Sequence, residues 1–90
     1  MPHGTEPEFA MFCNLVSGHE FVVYVKRHWN ISYVEQVVWE HLRETKLIGA
    51  QSCVELIYNG AKMDAFHKLA QYWWPDPERF LYVTVVVSRG

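Results

Sequence analysis

The stretch Val54-Glu55-Leu56-Ile57-Tyr58-Asn59-Gly60-Ala61-Lys62-Met63 decides how the chain is read. Its first half is rich in β-branched, aromatic and aliphatic side chains, which suit a pleated, half-buried surface and predict a strand. Asn59-Gly60 then accepts positive backbone dihedrals at little cost, so the chain turns there and resumes toward Met63. Because side chains alternate across a strand, Leu56 and Ile57 must point to opposite faces, and they cannot share one environment.

Working toward the N-terminus, Cys53 or Ser52 opens this strand and Gly49 is the expected helix stop or first loop glycine before it. The helix is predicted over Ile31 to Lys46, with Ile31, Val34, Val38 and Leu42 recurring at intervals of three and four to form one apolar stripe. Asn30 and Ser32 compete as its N-cap, and Ser32 with Glu35 has capping-box spacing. Trp39 lies off the stripe, which marks it for exposure or for contact with a partner. Upstream again, Met11 to Val16 and Glu20 to Lys26 are extended runs joined by Ser17-Gly18-His19, the pattern of a β-hairpin. Alternation groups Phe21, Val23 and Val25 on one face of the second run and Val22 and Tyr24 on the other, so both faces are apolar. Residues 1–8 lack apolar periodicity and read as a flexible leader, with the domain spanning 9–90.

Downstream, Asp64 to Tyr72 suits a short helical turn carrying Phe66, Leu69 and Tyr72, and Pro75 and Pro77 end it. Phe80 to Val87 is a β-branched strand, apolar on both faces, which belongs in the middle of a sheet. The order is therefore hairpin, helix, strand, short turn, strand. This is an α+β arrangement: a mixed four- to five-stranded sheet crossed by one main helix, with the last strand inserted beside the first.

This order and several residues spread over Ala10 to Gly90 are similar to ubiquitin and its relatives, the β-grasp superfamily. Leu56-Ile57-Tyr58-Asn59-Gly60 resembles a Leu-Ile-Phe-Ala-Gly strand and turn of that family, and Leu15-Val16-Ser17-Gly18 its first hairpin turn. Leu69 and Tyr72 match a leucine and a tyrosine of the short second helix, where the tyrosine braces a loop through its hydroxyl. The resemblance implies binding through a sheet-face patch, here Val16, Ile57, Tyr82 and Thr84, with Leu56 then facing the core. Glu55 replaces an arginine of the family and Ala61 a lysine, so partners that read those two charges would not find them. Trp74 falls at a core isoleucine position, whereas Trp73 either packs over a loop or projects as a binding anchor, as interface tryptophans do. Some relatives are covalent modifiers activated at a C-terminal glycine, a role the resemblance would give to Gly90. A weaker similarity, to the adaptor domains of polycomb-type ring-finger proteins (RAWUL-like), rests on the Val54-Glu55-Leu56 strand, the Asn-Gly turn and the aromatic stretch before the last strand.

Composition narrows the classes of function. Ninety residues, half of them apolar, can build one core without metals or several disulfides. A net charge of −2 without a basic stripe argues against a nucleic-acid partner. The apolar run Leu81 to Val87 is far short of the roughly 20 residues that span a bilayer, so no membrane role is expected. The polar start resembles no signal peptide, and an intracellular protein, cytoplasmic or nuclear, is the expectation. His3, His19, His28, His41 and His67 lack zinc-ligand spacing with one another or with Cys13 and Cys53, so no metal or other cofactor is predicted. The two cysteines read as reduced residues packed in strands, with a disulfide left open by sequence alone. No nucleophile–base constellation or glycine-rich phosphate loop is present, and the chain is not read as an enzyme. The sequence points to protein partners, and an unpaired sheet edge permits a homodimer.

Overall fold

The computed structural model describes residues 7–73 and 80–89. Strands β1 (Phe9–Leu15) and β2 (Glu20–Val25) form a hairpin, helix α1 (Ile31–Glu44) follows, and β3 (Ser52–Tyr58), β4 (Ala61–Lys62) and β5 (Leu81–Arg89) complete one sheet. A 3₁₀ turn spans Leu69–Gln71. The strand order is β2-β1-β5-β3-β4, with β5 parallel to β1 and antiparallel to β3. The expected mixed sheet with its last strand beside its first is what the chain builds.

Each turn follows from its local chemistry. Gly18 sits at φ +99° in the β1–β2 connection, closed by Leu15 N–H donating to the His19 carbonyl at 2.8 Å. Asn59 and Gly60 adopt φ +53° and +80°, both positive as a tight two-residue hairpin turn demands, and they set Tyr58 opposite Ala61. That pairing locks the register in which Leu56 is fully buried and Ile57 is not.

The helix starts where expected, but the hydrogen bonds that close its two ends are not those the sequence suggests. The helix starts at Ile31 with Asn30 as N-cap, so Ser32 is already inside the first turn and its capping box with Glu35 does not form. Asn30 makes no side-chain cap either. The first orphan N–H groups are instead taken by a neighbouring loop: Ile31 N–H donates to the His67 carbonyl at 2.8 Å and Ser32 N–H to the Ala65 carbonyl at 3.0 Å. At the other end the helix closes at Lys46, and Gly49 lies in the loop beyond it. Lys46 N–H reaches the Arg43 carbonyl at 3.0 Å and Leu47 N–H the Leu42 carbonyl at 2.9 Å, a Schellman closure with Lys46 held at φ +62°.

The stripe of α1 covers one face of the sheet as its periodicity predicts: Ile31, Val34, Val38 and Leu42 are fully buried. Met11 and Cys13 of β1, Val23 and Val25 of β2, Val54 and Leu56 of β3 and Leu81, Val83 and Val85 of β5 meet them. Met63 and Leu69 close one end, while Phe66 remains 90% exposed and takes no part. Tyr72 braces the loop before it, its hydroxyl accepting the Asp64 N–H at 2.7 Å and lying 2.8 Å from His67 Nδ1. Cys13 faces this core, and its thiol is pushed up to about 12 by burial. Cys53 is exposed on β3, with β5 lying between the two cysteine strands, and both thiols are free.

Three outcomes follow from this packing. Leu56→Ala should destabilise by about 2–5 kcal/mol, the usual cost of a buried cavity, measured by urea unfolding. Lys46→Gly should stabilise by roughly 1 kcal/mol, because glycine carries no penalty in the left-handed region; a lower urea midpoint would contradict the Schellman assignment. In native protein Ellman's reagent should modify Cys53 quickly and Cys13 only at the rate of unfolding, so two equally fast thiols would show that Cys13 is not in the core.

Candidate protein-interaction surface

With α1 covering one face of the sheet, alternation leaves the other face open. Across it the register aligns Asn14 with Thr84, Thr84 with Ile57, and Ile57 with Lys62, while Phe12 stands opposite both Val22 and Tyr82. Phe12 and Tyr82 stack with ring centroids 5.1 Å apart, and Phe80 meets Phe12 edge-on at 5.8 Å. Tyr82, Phe80 and Tyr24 nevertheless remain about 60% exposed, because nothing within the described residues covers their outer surfaces. An open hollow of about 420 Å³ lies beside them, lined by Phe12, Val22, Ile57, Tyr82 and Thr84 with the Asn59-Gly60 turn.

Of the residues singled out by sequence, Ile57, Tyr82 and Thr84 meet in this hollow. Val16 does not line it. It sits 80% exposed in the β1–β2 turn and borders a separate depression of about 440 Å³ with Leu47, Ile48 and Val87. Trp39 is not a free contact residue: it packs partly buried against the core, its indole N–H donates to the Ser52 carbonyl at 2.9 Å, and Arg43 lies 5.2 Å above its ring. Trp73 is not a projecting anchor. It is buried and meets Phe9 edge-on at 5.5 Å, so the core rather than the surface holds it. Trp74 and Gly90 lie outside the described residues.

The open face also holds Phe12, Val22, Tyr24 and Phe80, none of which had been assigned to a site. Val22 and Tyr24 carried a signal, since alternation had already set them apart from Phe21, Val23 and Val25. Deciding which set faced outward required knowing where α1 lies. His41 is half buried and stacks on Phe21 at 4.6 Å.

Charged groups border the β3–β4 side of the sheet. Glu55 and Lys62 form an exposed ion pair at 2.7 Å, and this partner raises the affinity of Lys62 for its proton. Burial raises the Glu35 carboxyl above its ordinary range, an effect opposed by Lys62 and reinforced by Glu55. Among the described residues, no group of three histidine, cysteine or acidic side chains is placed to hold a metal ion. No described helix is long and apolar enough to cross a membrane.

No protein-family model matches the chain, and a search of curated proteins finds no significant relative. Solved structures do match. The UBL domain of Dsk2 from Plasmodium falciparum is similar at a TM-score of 0.71 and 17% identity, covering 91% of this chain and 100% of that one. A ubiquitin-fold protein from Arabidopsis thaliana gives a TM-score of 0.74 at 13% identity, covering 99% and 94%. A chain of the pParkin-pUb-UbcH7 complex gives 0.63 at 13% identity, over 92% of this chain and only 23% of that one. At such identities the likeness is one of fold, and with the observed strand order and single long helix it establishes the chain as a ubiquitin-like β-grasp.

Proposed function

We propose that the chain is a non-catalytic protein-interaction module that seats partner proteins on the open face of its sheet. The observation that carries this reading is the contiguous aromatic surface of Phe12, Phe80 and Tyr82, flanked by exposed Val22 and Tyr24, on the face that α1 leaves uncovered. Exposed apolar patches of this kind mark interaction sites, and aromatic side chains supply much of the binding energy at interfaces. Ile57 and Thr84 extend the surface across β3 and β5. The structural neighbours include a UBL domain and a chain from a multiprotein complex, which supports a protein partner. Two free cysteines fit a reducing, intracellular setting.

The observed ladder does not favour conjugation through Gly90. Val87, Ser88 and Arg89 are paired with Val54, Cys53 and Ser52, so the strand leading to that residue is held in the sheet rather than presented as a free tail. The polycomb-type adaptor reading makes the same demand on the open face as the leading one.

The test compares wild type with Ile57→Asp and Tyr82→Asp in quantitative pull-downs from native extract, with Gln36→Asp on the exposed side of α1 as control. The two sheet variants should keep the wild-type circular dichroism spectrum and bind at least about 30-fold more weakly, the loss expected when an interface hot spot worth roughly 2 kcal/mol is removed. Partners retained by both sheet variants but lost in the Gln36 variant would place the interface on the helix instead.

A further inference from the structure

The sheet has a second opening, on the edge of β3. β4 pairs with Ile57 and Tyr58, which, among the described residues, leaves the rest of β3 without a neighbouring strand on that side. Two hydrogen bonds fix which backbone groups point there. The Leu56 carbonyl accepts the Met63 N–H at 2.9 Å and the Ser52 carbonyl accepts the Trp39 indole N–H at 2.9 Å, both on the side away from β5. Backbone groups of a strand alternate in direction with period two, so the N–H and C=O of Val54, midway between Ser52 and Leu56, point the same way. They face a hollow of about 550 Å³ whose walls include Glu35, Glu55, Lys62 and Asp64.

The charges around this opening select its occupant. Lys62 is engaged by Glu55 at 2.7 Å, so the three carboxylates leave a net negative rim. A second copy of the chain pairing edge to edge would bring the same acidic groups against one another, which like-charge repulsion opposes. We propose that this edge receives an extended segment of a partner protein, which adds a short strand to Val54 and places a lysine or arginine side chain against Glu35. The residue opposite Val54 in such a pair shares its face, the one toward α1, and Glu35 is the carboxylate α1 contributes to the hollow. Glu35 is already raised by burial and by Glu55, so an incoming cation supplies the compensation that Lys62 alone does not complete. At the rim, Phe66 is 90% exposed on a loop whose backbone is tied down by Asp64 Oδ1, which accepts the Phe66 N–H at 2.8 Å, and by the Ser32 N–H bond to Ala65. It offers a fixed apolar contact at the rim for the added strand.

The experiment is an amide-NMR titration of the intact chain with the synthetic peptide acetyl-Thr-Val-Arg-Val-Thr-amide and with its twin carrying Glu in place of Arg. The expected result is saturable shifts at Val54, Glu35 and Phe66 with the Arg peptide, and at least tenfold weaker binding by the Glu peptide and by the Glu35→Gln variant. Glu35→Gln is isosteric and removes no core contact, so its amide spectrum reports directly that the fold is kept. Shifts confined to Phe12, Tyr82 and Thr84 would assign the peptide to the open face and overturn the edge proposal. Equal binding of the two peptides, or no shift at Val54, would overturn it as well. Because the open-face reading is tested by Tyr82→Asp, which leaves this edge intact, the two can fail independently.

Discussion

The structure depends on the placement of β5 between β1 and β3. That strand comes from the end of the described chain and must pair in parallel with β1 from its beginning, a contact that closes nearly the whole length of chain. Parallel strands lack the short hairpin link that joins antiparallel ones, and the closure entropy must be offset by burial. Leu81, Val83 and Val85 supply it: all three are buried beneath α1, and each side chain removed from water contributes about 1.5–3 kcal/mol. Once β5 is in place, β1 and β3 can no longer touch. Cys13 and Cys53 are thereby kept apart, and the two free edges of the sheet are assigned to β2 and to the β3–β4 side.

The same strand also builds the open aromatic face. Its inward residues alternate with Phe80, Tyr82 and Thr84, so the register that secures the core necessarily exposes an aromatic ring beside Phe12. The buried core and the exposed aromatic face are therefore set by one alternation. A one-residue slip of β5 would bury Tyr82 and Thr84 beneath α1 and expose Leu81 and Val83, which is why the register is strongly specified. The Asn59-Gly60 turn performs the same service for β3, holding Leu56 inside and Ile57 out.

Much of this was legible in the sequence because it is written in local periodicity. The helix stripe at Ile31, Val34, Val38 and Leu42, the Asn59-Gly60 turn and the doubly apolar last strand each carry a pattern that needs no tertiary knowledge. The misreadings share a different cause. Ser32 and Glu35 have the spacing of a capping box, but the carbonyls of Ala65 and His67 reach the helix N-terminus first. Lys46 closes the helix in a conformation usually left to glycine, so the closing residue carried no local signal. Trp39 lies off the apolar stripe yet packs against the core and donates to Ser52. For the site, composition could name Ile57, Tyr82 and Thr84 only through resemblance. Phe12, Val22, Tyr24 and Phe80 joined them when the position of α1 showed which face was open.

Core, register and open face all turn on β5 as the central strand. Native-state amide hydrogen exchange measures this most directly, because central strands open only with the whole molecule whereas edges open locally. The amides of Val83 and Val85 should exchange slowest of all, with opening free energies equal to that of global unfolding, and those of Ala61 and Lys62 far faster. If Val83 and Val85 exchanged as quickly as the β4 edge, β5 would not lie between β1 and β3, and both the core and the open face built on that placement would be wrong.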